Sequence, residues 1–242
     1  MGKPMDDQLL TARTTSWYDA YYLRHGRGRN DLFGNPEVLL QVLAFDASLI
    51  CALRSTHLDP HTAVLLEVGC GGGAGIPNLL RLGFDPARIY GVDLLADRIS
   101  EASGRFPTAH FVCGDARCLD FEEGAFDIVL ESTMFVSITD HEISRAIAAE
   151  MLRVVRRDGY IVLADWRYAK PGGTSYAGLS RGRIDQLFQV GRQTRIVGVH
   201  HGALVPPLGR YLSRHGMAFV YFGLRGLLRF LCGQVTVVLR KC

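Results

Sequence analysis

Between residues 62 and 168 the sequence alternates short apolar runs with stretches of helical spacing, and this alternation constrains the fold more than any other feature. A strand that is followed by a helix and a further strand normally forms a parallel pair, so the pattern predicts a doubly wound α/β sheet. The predicted strands are Ala63–Val68, Ile89–Val92, His110–Cys113, Phe126–Leu130 and Tyr160–Ala164, and the predicted helices are Ala74–Leu82, Leu95–Ser103 and Asp140–Val155.

Nearly every predicted strand ends in a carboxylate. In doubly wound sheets the ligand binds beyond the carboxyl ends of the strands, so a row of acids at those ends marks the edge of a binding site. The acids in question are Glu67, Asp93, Asp115, Glu131 and Asp165.

The segments on either side of this core have other patterns. Val38–Leu53 has apolar residues at helical spacing behind Asn35–Pro36, so residues 1–60 are expected to form an N-terminal helical cap of the same domain. Residues 61–242 are expected to form the main domain, with looser insertions around 171–230. Gln234–Lys241 suits a last strand, either at an edge or antiparallel, and no linker separates a second domain.

Composition and charge exclude several classes of protein. The chain has 242 residues and a formal net charge of +3, whereas nucleic-acid binding usually requires a strongly basic face. Its cysteines form no Cys-x-x-Cys pair and have no histidines at zinc spacing, so we predict reduced thiols, no metal site and a cytoplasmic location. Asp6 and Asp7 interrupt the N-terminus, and no apolar run of about 18 uncharged residues follows, so neither a signal peptide nor a membrane span is expected.

The loop Glu67–Gly75 joins the first predicted strand to the first predicted helix. Glycines there allow a sharp turn and a ligand close to the backbone, and the N–H groups at the helix start favour an anionic group. The loop also fits the relaxed Gly-x-Gly-x-x-Ala pattern of dinucleotide binding, with Asp93 placed for a ribose, so an NAD(P)-dependent oxidoreductase is an alternative. Two acids favour another ligand: Glu67 suits a cationic group better than a pyrophosphate, and Asp115 can accept a hydrogen bond from an exocyclic amine.

Four successive motifs resemble those of class I S-adenosylmethionine-dependent methyltransferases: Glu67-x-Gly69-x-Gly71-x-Gly73, Gly91-Val92-Asp93, Gly114-Asp115-Ala116 and Phe126-Asp127-Ile128-Val129. The resemblance covers about residues 60–168. It implies a Rossmann-like, mostly parallel seven-stranded sheet closed by an antiparallel hairpin, with S-adenosylmethionine as cofactor and S-adenosylhomocysteine as product. The implied cofactor residues are Glu67, Gly69, Cys70 and Gly71 for the methionine part, Asp93 for the ribose, Leu94, Asp115 and Ala116 for the adenine, and Glu131 for the methionine end or the acceptor.

The N-terminal block offers one further cofactor contact. Arg29 stands in a polar turn, and a guanidinium near the glycine loop can grip the cofactor carboxylate with two hydrogen bonds. The aromatic cluster Trp17–Tyr22 is interpreted either as core packing of the cap or as a lid over the cofactor.

A second, weaker set of motifs resembles methyltransferases from bacterial surface-polysaccharide gene clusters, among them Asp165-Trp166-Arg167-Tyr168 and Leu204-Val205-Pro206-Pro207. This resemblance implies a glycan or other small-molecule acceptor, methylated at a hydroxyl oxygen. A hydroxyl must lose its proton during attack, so a general base is required. We predict Asp165 and His200 as the catalytic residues, although Asp165 is also compatible with an internal salt bridge and His200 with a surface loop. The other candidate bases are Glu131, His201 and His141.

The segment Met217–Cys232 is strongly apolar and carries Arg225 and Arg229 four residues apart. We favour a buried helix that covers the sheet, with both arginine side chains reaching solvent. The alternative is an interfacial surface that makes weak contact with a membrane. Because the strong motifs are all binding motifs, a non-catalytic partner subunit that binds S-adenosylmethionine is a further alternative function.

Overall fold

The computed structural model describes residues 34–169 and 176–242, together with Ala12, Thr15, Ser16 and Leu32. Arg29 and the cluster Trp17–Tyr22 lie outside the described residues, so the roles predicted for them stay predictions.

Seven strands form a single sheet, and their bounds are β1 Leu65–Val68, β2 Ile89–Asp93, β3 His110–Cys113, β4 Phe126–Ser132, β5 Val155–Trp166, β6 Thr194–His201 and β7 Gln234–Lys241. They lie in the order β3-β2-β1-β4-β5-β7-β6. The strands β1 to β5 are parallel to one another, whereas β7 runs antiparallel to both β5 and β6. The doubly wound, mostly parallel seven-stranded sheet predicted from the sequence is therefore confirmed.

Helices cover both faces of this sheet. Their bounds are α1 Pro36–Arg54, α2 Ile76–Arg81, α3 Ala96–Arg105, α4 His141–Val154, α5 Arg181–Leu187, α6 Pro206–Arg214 and α7 Ala218–Leu227, with 3₁₀ turns at Pro86–Arg88, Phe135–Ser137 and Arg229–Leu231. The predicted helix within residues 1–60 thus exists as α1, which begins at Pro36 because proline fits the first turn of a helix.

The C-terminal region differs from the sequence prediction in one respect. Thr194–His201, expected within a loose insertion, is the edge strand β6, whereas Gln234–Lys241 is an antiparallel strand, which is one of the two predicted alternatives. The first six residues of β7 are buried, as a strand covered on both faces requires. The alternating burial of β6 is typical of an edge strand with one solvent-facing side. The sequence does not show this alternation, because two histidines and Gly198 interrupt the apolar residues of the strand.

Three apolar clusters hold the domain together. One face of the sheet packs against α1 and α2 through residues such as Leu49 and Ile76. The opposite face packs against α4 and α5 through residues such as Met151 and Ile184. A third cluster lies beyond the carboxyl ends of the strands, where Tyr221 packs against parts of α1 and α6. This third cluster positions the C-terminal helices next to the edge at which the sequence predicts a binding site.

By length and composition α1 is able to cross a membrane, since its 19 residues have a mean hydropathy of 1.6. In this fold it packs on the sheet as a core helix. The Ser48 hydroxyl lies 2.9 Å from Thr236 Oγ1 of β7, and Ala44, Leu49 and Ala52 are fully covered. The sequence predicted no membrane span because no apolar run of sufficient length lacks charged residues. The helix α1 contains charged residues such as Glu37 and Asp46.

The helix α7 corrects another expectation. The sequence favoured a buried helix over Met217–Cys232, but Tyr221 is the one residue of α7 that is buried. Phe219 is 93% exposed, Leu227 is 85% exposed, and Phe230 in the following 3₁₀ turn is 64% exposed. The interpretation as a sheet-covering helix was therefore wrong, because a uniformly apolar segment does not reveal which of its sides packs on the protein.

Candidate active site

The glycine loop lies between β1 and α2 and is held open at its centre. Gly69, Gly71 and Gly73 have φ values of +74°, +52° and +75°, which side chains of the L configuration rarely adopt. A Cβ on Gly71 would meet no atom of the described residues within 4 Å, so the backbone there has room for a ligand. Asp93 fixes this conformation, because its Oδ2 accepts from Gly71 N at 2.9 Å and its Oδ1 accepts from Leu95 N at 3.0 Å.

Glu67 lies beneath this loop with an incomplete set of hydrogen bonds. Its side chain is only 2% exposed, and its Oε2 has no hydrogen-bond partner within the described part of the chain. A Cβ on Gly75 would come within 2.7 Å of Glu67 Oε1, so the carboxylate lies directly against the start of α2. Burial, and then the charge of Asp93, raises the pKa of Glu67 to about 8. A buried carboxylate with an unpaired oxygen is suited to a ligand that brings a cationic donor.

At the end of β3, Asp115 has a partner that the sequence did not reveal. Its Oδ1 accepts from Arg117 N at 2.8 Å and its Oδ2 accepts from Arg117 Nε at 2.8 Å. A carboxylate has about four lone-pair sites, so Asp115 can still accept a hydrogen bond from a ligand amine. Leu94 and Ala116, predicted to contact the adenine, are half-buried at the neighbouring ends of β2 and β3.

Glu131 and Asp165 form a buried acidic pair at the ends of β4 and β5. Glu131 is fully buried, its Oε2 accepts from Met134 N at 3.2 Å, and its Oε1 has no partner within the described residues. Asp165 is 1% exposed and accepts from Val136 N at 2.8 Å and from Trp166 N at 2.6 Å. Burial raises the pKa of both groups, to about 7 for Asp165, and the charge of Asp165 raises that of Glu131 further.

This acidic pair determines the position of the turn after β4. Asp165 holds the 3₁₀ turn Phe135–Ser137 through its backbone, while Glu131 holds Met134 in the same way. The Met134 sulfur lies 3.0 Å from the place where a Cβ on Gly69 would stand. The two carboxylates therefore connect the ends of β4 and β5 to the glycine loop.

Arg183 of α5 is a further residue of the site, and it was not predicted from the sequence. Its guanidinium is half-buried and donates to Phe135 O, Ile138 O, Ala177 O and Ser144 Oγ at 2.6–3.1 Å. Burial lowers its pKa, while the charges of Asp165 and Glu131 oppose that shift. It lies in a segment predicted to be irregular, and no local motif distinguishes it from the other arginines there.

The two adjacent histidines of β6 lie on opposite faces of the sheet. Asp165 and His201 are both in register with Val235, so these side chains share the face covered by α4 and α5. Two strand spacings place His201 about 10 Å from Asp165 across the sheet. His200 is in register with Thr236 and lies on the other face, with its Nε2 3.0 Å from where a Cβ on Gly198 would stand. Only His201 therefore shares a face with the acidic pair.

Both histidine rings have a nitrogen that is buried without a partner among the described residues, Nε2 in His200 and Nδ1 in His201. Burial lowers the pKa of each, and the charges of Arg167, Arg229 and Arg225 lower that of His201 further. Both are therefore neutral near pH 7 and able to accept a proton. The third candidate histidine, His141, is 53% exposed at the start of α4, beside Glu142 and Arg145. The structure does not test which candidate is a base, so Asp165 and His200 stay predictions.

Comparison with known proteins identifies the central part of the chain. Residues 66–163 match the family model of a methyltransferase domain. The chain is 34% identical over 137 residues to phthiotriol/phenolphthiotriol dimycocerosates methyltransferase 1 of Mycobacterium ulcerans, covering 56% of this chain and 49% of the relative. It is 32% identical over 153 residues to fatty-acid O-methyltransferase of Mycolicibacterium smegmatis, covering 62% and 54% respectively. The chain thus spans about half the length of the curated relatives it matches.

A solved structure supports the same fold. Geranyl diphosphate C-methyltransferase from Streptomyces coelicolor A3(2), solved with S-adenosyl-L-homocysteine, superposes with a TM-score of 0.59 at 15% identity, covering 79% of this chain and 76% of that chain. At that identity the similarity shows the fold alone. The family match favours S-adenosylmethionine over a dinucleotide, while no comparison supports the resemblance to surface-polysaccharide enzymes. Residues 66–163 are thus similar in sequence to a methyltransferase domain, and the strand order and the glycine loop agree with a Rossmann-like methyltransferase fold.

Proposed function

We propose that this chain transfers a methyl group from S-adenosylmethionine to a hydroxyl oxygen of a small-molecule acceptor with an apolar body. The observation that carries the proposal is the buried Glu67 carboxylate beneath the glycine loop, whose Oε2 has no hydrogen-bond partner among the described residues. S-Adenosylmethionine brings an ammonium group that supplies the missing partner, whereas the pyrophosphate of a dinucleotide would add negative charge beside a buried acid. This contrast also disfavours the oxidoreductase alternative.

The remaining cofactor contacts follow the strand ends. The loop backbone at Gly71 has room for the methionine part, and Asp93 has lone pairs left for ribose hydroxyls. Asp115 would accept from the adenine amine while it keeps its contact with Arg117. When bound, the cofactor supplies an electrophilic methyl group, and the chain then has to align the acceptor and exclude water.

For the proton of the acceptor we propose His201 instead of His200. Asp165 already accepts two backbone hydrogen bonds and is nearly inaccessible, so it is better placed as a positioning residue than as a base. His201 has a buried nitrogen without a partner among the described residues and shares the face of Asp165, while His200 faces α1. The imidazole of His201 is neutral near pH 7 and so has a lone pair that can take the proton from a hydroxyl.

Two observations favour an apolar acceptor. Of the two relatives cited above, one is named for phthiotriol dimycocerosates and the other for a fatty acid. The C-terminal helices beside the carboxyl edge expose large apolar side chains instead of the polar groups that a glycan requires. A glycan acceptor, and with it a role in polysaccharide synthesis, remains the second candidate.

The test is formation of S-adenosylhomocysteine from S-adenosylmethionine by the purified chain, with a long-chain fatty acid, a fatty alcohol, a hydroquinone and a monosaccharide as acceptors. We expect turnover with the fatty alcohol or the hydroquinone, and at least a tenfold loss of cofactor affinity in Glu67→Gln. Glu122→Gln, an exposed acid far from the loop, is the matched control and should bind normally. Turnover with the sugar alone would establish the glycan candidate, and cofactor binding without any turnover would favour a non-catalytic subunit.

A further inference from the structure

The segment Met217–Leu231, which comprises α7 and the following 3₁₀ turn, presents apolar side chains to solvent along its outer side. Phe219, Leu227 and Phe230 are 93%, 85% and 64% exposed. Single exposed apolar residues are ordinary, but large ones grouped on one short segment mark a contact surface. The other outward apolar residues of the group are Met217, Val220, Phe222 and Leu228, each between 37% and 39% exposed.

This apolar side is held in a fixed orientation by contacts on the inner side of the segment. The buried Tyr221 hydroxyl accepts from Leu204 N at 3.1 Å. Arg225 turns inward and donates to His201 O at 2.5 Å and to Gly202 O at 3.1 Å. Since the polar groups of the inner side are satisfied within the protein, the outward apolar side is the stable arrangement of the segment.

Two further hydrogen bonds connect the segment to the candidate active site. The Tyr168 hydroxyl donates to Phe230 O at 2.8 Å, and Arg167 donates to Arg229 O at 2.7 Å. Both donors directly follow Trp166, the last residue of β5, and so stand two and three residues after Asp165. The exposed apolar surface is therefore adjacent to the carboxyl edge of the sheet.

The C-terminal part of the sequence that contains the segment carries formal charge of one sign. Residues 186–242 contain no Asp or Glu, although the whole chain has a net charge of only +3. A symmetric contact with the same surface of a second copy would bring like charges together, which opposes self-association of that kind. The basic residues of this part are Arg192, Arg195, Arg210, Arg214, Arg225, Arg229, Arg240 and Lys241.

We propose that Met217–Leu231 docks on the surface of an anionic lipid bilayer. Phe219, Leu227 and Phe230 enter the boundary between headgroups and acyl chains, while Arg229, which is exposed on the same segment, meets anionic headgroups. This inference does not depend on the proposed methyl transfer, because it concerns binding to the bilayer alone. If both hold, the carboxyl edge of the sheet faces the membrane, and an apolar acceptor reaches the site without crossing bulk water.

The test is flotation of the whole chain with vesicles of phosphatidylcholine, with and without phosphatidylglycerol, at increasing salt and without cofactor. We expect binding that requires phosphatidylglycerol and weakens with salt. Phe219→Ser and Leu227→Ser should each weaken binding by about tenfold. Val112→Ser and Leu80→Ser, which alter apolar residues 43% and 38% exposed elsewhere on the surface, are the matched controls and should bind like the unaltered chain.

Because Phe219 and Leu227 are exposed, their replacement should leave the melting temperature unchanged, and this separates lost docking from lost folding. Absence of binding to anionic vesicles at low salt would overturn the proposal, as would equal binding of the surface variants and the controls. A lipid-free dimer that Phe219→Ser dissociates, seen by light scattering, would instead assign the surface to a second copy.

Discussion

Replacing Glu67 by glutamine should destabilise the ligand-free protein at acid pH and stabilise it at alkaline pH. The wild-type pKa is raised from an ordinary value of 4.5 to about 8, so the folded state resists ionisation of this group. Its contribution to stability is fully present below pH 4.5 and is lost as the pH rises toward 8. At 1.36 kcal/mol per pKa unit, that loss amounts to about 5 kcal/mol at most.

Glutamine does not ionise, so the variant lacks this pH-dependent loss. However, the N–H groups of the glutamine amide find no acceptor among the described residues. This costs about 1–3 kcal/mol of stability at every pH. The variant should therefore be less stable than wild type at pH 5 and more stable at pH 8 to 9, by about 2–4 kcal/mol. The raised pKa values of Glu131 and Asp165 affect both proteins equally and cancel in the difference.

The assay is urea unfolding of wild type, Glu67→Gln and Glu122→Gln at each pH unit from 5 to 9. The difference in the free energy of unfolding between Glu67→Gln and wild type should rise by about 1 kcal/mol per pH unit up to pH 8. The Glu122→Gln difference should stay flat, since this side chain is exposed. A flat difference for Glu67→Gln would refute the reasoning, because it would show that the buried carboxyl has an ordinary pKa.

Three further results are expected from other site residues. Asp93→Asn leaves one acceptor oxygen for the two N–H groups that Asp93 binds, those of Gly71 and Leu95. Titration calorimetry should therefore show S-adenosylhomocysteine binding at least tenfold weaker. Arg183→Met leaves four acceptors without their donor, so chemical denaturation should show a loss of about 3 kcal/mol, and the lack of any loss would contradict the geometry. His201→Ala should lower kcat by a hundredfold or more, as expected for loss of a base, whereas His200→Ala should change it less than threefold; the reverse order would restore His200.

The sequence predicted the parallel core of the fold well because its signals are local. Buried strands such as β4, Phe126–Ser132, contain a short apolar run. Glu131 and Asp93 lie at the carboxyl ends of their strands, where the chain leaves the sheet. The positions of the acids along the carboxyl edge follow directly from that pattern. Register and strand order then bring Glu131 and Asp165 together.

What the sequence did not predict depends on long-range contacts. Arg183 is 52 residues from Glu131, and its role appears only after α5 packs on the sheet. The shift in register at Ile196–Gly198 within β6 decides which histidine shares a face with Asp165, and no sequence pattern reports it. The exposure of Phe219 is likewise a property of how α7 docks, since its composition alone suits a core helix equally well.

The contact between Gly75 and Glu67 has a consequence for how related sequences diverge. Gly75 has an ordinary helical φ of −77°, so only the nearby carboxylate, 2.7 Å from where its Cβ would stand, excludes a larger residue. A shorter acid at position 67 would remove this obstacle. The two positions should therefore covary, with glutamate at 67 accompanied by glycine at 75 and aspartate at 67 permitting alanine or serine. A substitution of Gly75 by alanine while position 67 is still glutamate would be selected against. The order of the two substitutions is therefore constrained, with the change at position 67 first.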